Sequence, residues 1–352
     1  WGFLARLGVA EIEVDAVARR VDEGGRRRFL DGLGLKGYKL QPFGGDWSGR
    51  SYAQVILSDG NTRILMDAPP PQEGVREYVA VAEYYREIGL KAAESFGFDE
   101  KNGYLLSEDF GDVQLFHLME KGEADIDAWF LAVAEGLVTQ CRAVPPAWGR
   151  RYSPKDWWVE AARFVNWYLP FARGRATTLA EYGEFQALWL ALFERVMRGP
   201  TGLMMWDCQS PNLMILGAKP QLEHIGWIDI QDARVAPVAQ DLGHLLRNIR
   251  TPQNDVREEL VLDFISKELA VDKVELKTQM EILCLHNACR LLGGLMRIWV
   301  RDGKAAAPLA YMGRTWEMAR QSYHVPELKA LVEFMAPWEE AGMARLRREA
   351  GA

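Results

Sequence analysis

The chain has 352 residues, of which 49% are hydrophobic and 26% charged, and its formal net charge is −7. This length and this ordinary globular composition predict a bilobal or two-domain protein. Acidic and basic residues are interspersed without a basic stripe, so nucleic acid is not an expected partner.

Several features of the sequence bear on where the protein works. No apolar run reaches the roughly 18 residues that a membrane span requires, and the N-terminus lacks the apolar region and cleavage site of a signal peptide. The four cysteines form neither CxxC pairs nor a compact framework, which favours buried free thiols in a reducing compartment. We therefore expect a cytoplasmic protein with no membrane partner, and the sequence leaves its oligomeric state open.

The first third of the chain alternates between helical and strand patterns. Residues 1–23 are predicted to be an N-terminal extension of unknown role, and residues 24–113 to form an N-lobe. Within this lobe, "RRRFLDGLGL" indicates a short helix, and "YKLQPFGGDWSGRSYAQVIL" indicates two strands joined by a glycine-rich turn. "RILMDAP" predicts a third strand, "VREYVAVAEYYREIGL" a helix, and "AAESFGFDEKNGYLLSEDF" two more strands around an Asn-Gly turn.

Residues 114–352 are predicted to form a mostly helical C-lobe. Long periodic segments run through 126–142, 155–172 and 178–198. Residues 203–235 are the exception, since short apolar runs alternate with turns there. The predicted fold class is therefore α+β. Its outline is that of a bilobal protein-kinase-like fold, with a small five-stranded antiparallel N-lobe holding one helix and a larger, mostly helical C-lobe.

The stretch "MWDCQSPNLMI" places an asparagine, Asn212, five residues after an aspartate, Asp207. This is the spacing of a kinase catalytic loop, in which the aspartate acts as general base and the asparagine binds a metal ion. A second metal ligand is predicted seventeen residues later, where Asp229 ends the apolar run "HIGWIDI". The alternative for Asp229 is a turn aspartate that caps the next segment. Together the three residues predict phosphoryl transfer from ATP with Mg²⁺.

Phosphate contacts are predicted in the turn "FGGDWSGRS". The glycines Gly44 and Gly45 let backbone N–H groups approach phosphates, and Ser48 or Arg50 adds side-chain donors. The third strand carries Met66 in the stretch where kinases usually place a lysine. Either another cation takes the place of the lysine, with Arg50 the first candidate, or nucleotide binding is impaired.

The end of the N-lobe predicts the adenine contact. The acidic stretch "YLLSEDFGD" corresponds to a kinase hinge near residues 107–113, where backbone groups pair with adenine. Ser107 and Glu108 are the residues expected to contact the nucleotide there.

The acceptor pocket is predicted from aromatic and polar residues. The chain has thirteen tryptophans, and an indole can stack on a sugar face or fill a core. Trp157 and Trp167, with the neighbouring Trp158 and Tyr168, are candidates for the pocket, although the same residues would pack a helical core. The remaining candidates are Gln209 in the catalytic loop and Asp232 downstream of Asp229.

With these residues the chain resembles the aminoglycoside phosphotransferase-like kinases. Within them it is most similar to the bacterial anomeric N-acetylmuramate/N-acetylglucosamine kinases of cell-wall recycling. "GDWSGRSYAQV" resembles that group's motif GDASFRRYYRV, and "LMDAPP" its methionine-aspartate-alanine-proline box. "LLSEDFGD" is similar to the hinge EDLGD, "WDCQSPNL" to the loop RDYHSPNL, and "IGWIDIQDA" to IGLIDFQDA. The missing lysine is then a trait of the family.

The resemblance implies an ATP- and Mg²⁺-dependent kinase that phosphorylates the anomeric hydroxyl of a small amino sugar. Two alternatives stay open: an aminoglycoside- or choline-type kinase of the same fold, and a nucleotide-binding pseudokinase without turnover. The pseudokinase alternative is opposed by the presence of Asp207, Asn212 and Asp229. The sequence departs from the family pattern at Trp206, Cys208, Gln209, Ile230 and Gln240. These departures favour a divergent member whose substrate has drifted.

Overall fold

The computed structural model describes the chain in segments, which are residues 22–43, 50–68, 70, 74–122, 125–251, 253–303 and 306–350. They divide into two compact units. The first unit comprises the described residues up to Gly149 together with Met205–Arg234, and the second comprises Arg150–Met204 and the described residues from Val235 onward. Residues before and after the predicted lobe boundary at residue 113 thus lie in the same first unit. The division into an N-lobe and a C-lobe stays a prediction.

The first unit begins with helix α1, Glu23–Gly32, and Asp22 caps it by accepting a hydrogen bond from the N–H of Gly25 at 2.8 Å. Five strands follow around helix α2 and pair in the antiparallel order β1-β2-β3-β6-β5, which confirms the predicted five-stranded sheet. A further two-residue strand, β4, was not predicted. The bounds are β1 Lys39–Phe43, β2 Ser51–Ile56, β3 Thr62–Asp67, α2 Val75–Glu87, β4 Lys91–Ala92, β5 Ser95–Asp99 and β6 Tyr104–Glu108.

Alternating apolar residues on the sheet explain its packing. One face joins Leu30 of α1 in a buried cluster with Val55, Leu65, Tyr104 and Leu106. The helical spacing predicts one face that carries Val79, Ala82, Tyr85 and Ile88. The first three are buried, and Ile88, just past the end of α2, is half-buried. The predicted extension falls largely on residues 1–21, which lie outside the described part of the chain.

The rest of the first unit carries helices α3, Leu115–Lys121, and α4, Ile126–Arg142, and a second sheet. Strands β8, Leu213–Ile215, and β9, Ile225–Trp227, form an antiparallel hairpin in this sheet, and β4 pairs with β9 in parallel. Trp227 is fully buried against α4 at Gly136, where a Cβ atom would lie 2.4 Å from the indole. A glycine is therefore required for this close approach, which anchors β9 and the residues that follow it.

The second unit is mostly helical. The predicted helix 155–172 is divided into α5, a five-residue π-helical segment Phe164–Tyr168, and α6. Strand β7 pairs with β10. None of the helices in the described segments is long and apolar enough to cross a membrane. The bounds are α5 Pro154–Arg163, α6 Leu169–Arg173, α7 Leu179–Val196, β7 Thr201–Met204, β10 Arg234–Pro237, α8 Ala239–Leu246, α9 Asp255–Leu269, α10 Lys273–Asp302, α11 Ala306–Arg320, α12 Lys329–Met335 and α13 Trp338–Ala350.

The tryptophans and cysteines of the second unit pack its core. Trp157, Trp189 and Trp316 are each fully buried, and Trp189 stacks on Phe193 with ring centroids 5.1 Å apart. None of the four cysteines, all within the described residues, forms a disulfide: Cys284 and Cys289 are buried in this unit, while Cys141 and Cys208 lie in the first unit, partly exposed and buried respectively.

Candidate active site

The catalytic loop lies just before β8 and is shaped by short-range backbone hydrogen bonds. The N–H of Gln209 donates to the carbonyl of Asp207, and the N–H of Asn212 donates to the carbonyl of Gln209, both at 2.8 Å. Residues Ser210–Asn212 form a 3₁₀ turn with Pro211 inside it. A proline at this position pre-sets the backbone angle of the turn, so the loop holds residues 207 and 212 close together.

Two amide side chains hold the carboxylate of Asp207. Asn212 Nδ2 donates to the Asp207 carbonyl at 3.0 Å and to Asp207 Oδ2 at 3.3 Å. Gln209 Nε2 donates to the other carboxylate oxygen, Oδ1. The candidate base and the first candidate metal ligand are therefore in direct contact, and Gln209 is positioned on the base.

Asp229 reaches the same loop through the β8–β9 hairpin. The N–H of Ile228, just past β9, donates to the carbonyl of Asn212 at 3.2 Å, and Asp229 is the next residue. Leu213 pairs with Trp227 in the hairpin, so the register of these strands sets the two candidate metal ligands side by side. The structure thus brings Asp207, Asn212 and Asp229 together within the first unit.

The backbone is strained at two positions of this region. Among the described residues three other than glycine have positive φ, and two of them are Trp206 at +78° and Asp229 at +58°. A bulky side chain rarely adopts this conformation, which costs of order 1–3 kcal/mol and persists where packing over-determines it. Trp206 is 7% exposed, so its ring is packed away from solvent directly ahead of the candidate base.

Arg50 forms an ion pair with Asp229 across 179 residues of sequence. Its Nη1 lies 2.9 Å from Asp229 Oδ1, and its Nη2 lies 3.8 Å from Asp232 Oδ2. Gln231 Nε2 also donates to Asp229 Oδ1, at 2.8 Å. The arginine predicted to contact phosphates is therefore placed beside a candidate metal ligand, a contact that no local sequence signal indicates.

Glycine-turn residues Gly44, Gly45 and Ser48 lie outside the described residues, and their phosphate-binding role stays a prediction. At the predicted hinge, Ser107 is 5% exposed on β6. Glu108 contacts Lys91 Nζ at 3.2 Å, and its N–H donates to the carbonyl of Glu94 at 2.8 Å. The adenine contacts of Ser107 and Glu108 also stay predictions.

Asp109, next in the hinge, is held by neighbouring donors. Its partial burial acts to raise the pKa of the carboxyl, but hydrogen bonds from Gln54, the N–H of Gly111 and Thr62 outweigh that effect and lower it. Asp109 is therefore a fixed negative charge on a turn that the sheet positions.

Sequence reasoning missed a buried ion pair at the end of β3. Arg26 on α1 places Nε 3.3 Å from Asp67 Oδ2 and donates from Nη2 to Ser51 Oγ at 2.6 Å. Arg26 and Asp67 are both nearly inaccessible to solvent. The aspartate of the "LMDAPP" stretch is thus paired with an arginine from the first helix, a contact between distant segments that no local pattern indicates.

The candidates for the acceptor pocket are placed differently from one another. Gln209 contacts Asp207, and Asp232 is exposed and contacts Arg234 Nη2 at 3.3 Å. Trp157 is fully buried and its Nε1 donates to Gln240 Oε1 at 3.1 Å, which favours the packing alternative for that residue. Trp167 is half-buried in the π-helical segment, a type of turn that is frequent at functional sites. All four assignments to the acceptor stay predictions.

The donor set is compatible with a magnesium–nucleotide complex. No group of three or more His, Cys, Asp or Glu suited to a metal occurs in the part of the chain that the structure describes. Mg²⁺ prefers one or two protein oxygens plus phosphate oxygens and water, so a group of three or more protein ligands is not required. The amide of Asn212 turns its nitrogen toward Asp207, which leaves its oxygen for a hard cation, and Asp229 supplies a carboxylate.

Sequence comparisons identify related proteins. A model of the family described as "Phosphotransferase enzyme family" matches residues 39–269. The N-acetylmuramate/N-acetylglucosamine kinase of Caulobacter vibrioides is 25% identical to this chain, and the match covers 90% of this chain and 97% of that protein. The protein of the same name from Pseudomonas aeruginosa is 26% identical, over 85% of this chain and 88% of its own. The family resemblance predicted from the motifs is confirmed.

Solved structures share the fold. The choline kinase of Streptococcus pneumoniae superposes with a TM-score of 0.60 at 14% identity, covering 85% of this chain and 99% of that one. A macrolide 2′-phosphotransferase from Brachybacterium faecium gives a TM-score of 0.54 at 12% identity, covering 84% and 98%. At such identities the likeness concerns the fold alone, and it confirms the predicted kinase-like α+β class.

Proposed function

Because this chain belongs to the phosphotransferase enzyme family, we propose that it transfers the γ-phosphoryl group of ATP to a hydroxyl of a small amino sugar. The relatives from Caulobacter vibrioides and Pseudomonas aeruginosa, both named as N-acetylmuramate/N-acetylglucosamine kinases, support this acceptor class. The motif resemblance selects the anomeric hydroxyl of the sugar as the attacking group.

One observation carries the proposal: the Asn212 side chain hydrogen-bonds to Asp207, and the N–H of Ile228, the residue before Asp229, donates to the Asn212 carbonyl. Phosphoryl transfer requires a carboxylate beside the attacking hydroxyl and oxygen ligands for the metal that neutralises the phosphates. A pseudokinase has no need to keep Asp207 and Asn212 in contact, with Asp229 on the adjoining hairpin, so the arrangement favours turnover.

Asp207 would act as the base. Its carboxylate would accept a hydrogen bond from the sugar hydroxyl and take up the proton late in a loose transition state. The amide donors of Gln209 and Asn212 restrict the rotation of this carboxylate, so less ordering is needed when the acceptor binds.

Asn212 and Asp229 would hold the magnesium ion, which supplies positive charge to the transferred phosphate when it is bound. Arg50 is a cation beside the same carboxylate, and a guanidinium offers several donors to phosphate oxygens. We therefore assign Arg50 the role that the strand lysine plays in other kinases.

The test is ATP consumption with Mg²⁺ on a panel of acceptors: N-acetylmuramate, N-acetylglucosamine, an aminoglycoside, choline and buffer alone. We expect consumption with the amino sugars, and we expect Asp207→Asn to lower kcat by about a hundredfold or more, since a general base contributes that much. Asp263→Asn, on an exposed aspartate of α9, is the matched control and should retain the wild-type rate.

Each outcome has a separate meaning. Consumption that depends on choline or an aminoglycoside would keep the mechanism and replace the acceptor. An Asp207→Asn variant with wild-type turnover would remove Asp207 from the mechanism. Nucleotide binding without turnover on any acceptor would leave the pseudokinase alternative.

A further inference from the structure

Helix α1 carries a buried arginine on the face that packs against the sheet. Arg26, Phe29 and Leu30 are spaced by three and four residues, so they lie on one face of the helix. Leu30 belongs to the buried cluster on the sheet, and the Phe29 ring stacks on Tyr104 of β6 with centroids 5.6 Å apart. A charged side chain is rarely buried without a partner, so the contacts of Arg26 are informative.

The approach of α1 to the sheet is close. Gly25 is buried, and a Cβ atom there would lie 2.3 Å from the hydroxyl oxygen of Tyr104. The same residue donates its N–H to the capping carboxylate of Asp22 at 2.8 Å. A larger residue at position 25 would push α1 away from β6. The helix therefore holds Arg26, the next residue, at a fixed place above the strands.

Arg26 bridges the last residue pair of the β2–β3 ladder. Ser51 and Asp67 are cross-strand partners at the end of this ladder. Arg26 Nε lies 3.3 Å from Asp67 Oδ2, and Arg26 Nη2 donates to Ser51 Oγ at 2.6 Å. The guanidinium and the carboxylate are both buried, so solvent screens this ion pair poorly. One rigid, planar guanidinium thus fixes the ends of two strands.

The bridged strand end lies directly beside Arg50. Arg50 precedes Ser51 in the chain, and its Nη1 lies 2.9 Å from Asp229 Oδ1. Its side chain therefore runs from a backbone that Arg26 fixes to the carboxylate of a proposed metal ligand. All four of these residues lie in the first unit. A shift of the strand end would move the guanidinium of Arg50 away from that carboxylate.

We propose that Arg26 is a positioning residue for nucleotide binding, which acts by fixing the strand end from which Arg50 reaches the phosphates. This inference rests on the proposed function, which assigns Arg50 to the nucleotide. Stability alone does not require a buried ion pair, because apolar side chains of similar volume often serve as well or better. The bridge instead fixes geometry at the strand end, where Arg50 requires it.

The test measures KM for ATP and for the amino sugar, and the calorimetric Kd for ATP, in the whole 352-residue chain. Ser51→Ala removes one hydrogen bond of Arg26 and leaves its ion pair with Asp67 in place. We expect KM and Kd for ATP to rise about three- to tenfold, as for the loss of one hydrogen bond, and KM for the sugar to stay unchanged. Arg26→Lys keeps the charge but not the planar fork, so it should have the same effect. Ser51→Ala decides the question if Arg26→Lys does not fold.

A double-mutant cycle with Arg50→Met separates positioning from a general structural effect. If the bridge acts through Arg50, Ser51→Ala should change the Kd for ATP by less than about twofold in the Arg50→Met background. Mn²⁺ binding without nucleotide should become tighter in Ser51→Ala, because a displaced Arg50 competes less for Asp229. A structural defect would instead weaken the binding of both ligands.

Arg28→Lys and Ser58→Ala are the matched controls, on an exposed arginine of α1 and an exposed serine after β2. Both should leave every constant within about twofold of wild type. Three results would overturn the inference. They are unchanged ATP binding in both Ser51→Ala and Arg26→Lys, an equal effect of Ser51→Ala with and without Arg50, and weaker Mn²⁺ binding in Ser51→Ala.

The failure of this inference is distinct from failure of the proposed function. If wild type phosphorylates an amino sugar and Ser51→Ala binds ATP as wild type does, the kinase stands and the positioning role falls. If wild type consumes no ATP with any acceptor, the proposed function fails. Binding of ATP and of Mn²⁺, which needs no acceptor, then decides the inference. A wild type that binds neither ligand would overturn both.

Discussion

At the scale of single residues, the ion pair between Arg50 and Asp229 joins the residue proposed to contact the nucleotide to a proposed metal ligand. Its atoms lie 2.9 Å apart, and the Arg50 side chain is 9% exposed, so the pair is poorly screened by solvent. A divalent ion binding to Asp229 must share this carboxylate with the guanidinium. Arg50 thus supplies positive charge at Asp229 before any metal binds.

Arg50→Met should separate the contribution of Arg50 to nucleotide binding from its competition with a metal ion at Asp229. We expect the KM for ATP to rise about tenfold or more, because a hydrogen bond between charged groups contributes about 1.5–3 kcal/mol. Binding of Mn²⁺ without nucleotide should instead become tighter, because Asp229 no longer carries a competing cation. Steady-state kinetics and an EPR titration of Mn²⁺ measure the two constants.

Arg234→Met is the control for this substitution, since Arg234, the first residue of β10, contacts Asp232 at 3.3 Å. It removes the same charge without touching Asp229 and should change neither constant by more than about twofold. Weaker Mn²⁺ binding in Arg50→Met would contradict the competition.

At the scale of elements, helix α10 carries a buried histidine that couples packing to pH. His286 places Nε2 3.0 Å from the carbonyl of Trp157, and its ring packs edge-on against Trp189 and Phe193. Burial lowers the pKa of His286 to about 3, and the positive charges of Arg290 and Arg163 act in the same direction. The ring is therefore neutral in the folded protein and donates its Nε2 proton to the carbonyl.

Stability should fall as the pH drops below the ordinary histidine pKa of 6.5. The folded pKa is lower than the unfolded one, so the unfolded chain takes up the proton first and is favoured as pH falls. One such group contributes a slope of at most about 1.4 kcal/mol per pH unit. Urea unfolding between pH 7 and about 4.5 should show this component in wild type and its loss in His286→Gln, which keeps a donor for the carbonyl.

His224→Gln is the matched control. His224 also contacts a backbone carbonyl, that of Lys219 at 2.8 Å, but its side chain is 27% exposed. This variant controls for the change from histidine to glutamine itself, so the component is assigned to His286 only if it survives in His224→Gln. Parallel curves for wild type and His286→Gln would show that His286 does not remain neutral in the fold.

At the scale of the whole molecule, the change in thermal stability on ligand binding should show which residues hold the ligand. A ligand that binds only the folded protein stabilises it, by about 2.7 kcal/mol at a hundredfold excess over Kd. We expect Mg²⁺ with ATP to raise Tm in wild type and in Asp207→Asn, because the base is not a ligand of the nucleotide or the metal. Asp229→Asn should lose the part of the shift that depends on Mg²⁺.

Thermal unfolding with ATP alone, with Mg²⁺ alone and with both measures these contributions. Asp207→Asn and Asp229→Asn each remove one negative charge from the wild type. Comparing the two variants therefore separates a loss of catalysis from a loss of metal binding. An equal shift in all three proteins would mean that Asp229 does not hold the metal.

Local patterns in the sequence determined the elements and the catalytic loop. The apolar pattern through Tyr52, Val55 and Leu57 predicts a strand, and the five-residue spacing of Asp207 and Asn212 predicts their meeting in one turn. These predictions succeed because period and turn geometry depend on neighbours in the chain. Motif resemblance added the family, which the match over residues 39–269 confirms.

Contacts between distant segments were decided by the tertiary structure alone. The pairing of Arg50 with Asp229, of Arg26 with Asp67, and of Gly293 with the backbone of Arg163 leaves no periodic trace in the sequence. Each depends on how strands and helices pack, and a local pattern specifies which face is buried but not what covers it. The sequence therefore determined the chemistry that the residues offer, and the fold decided which charges meet.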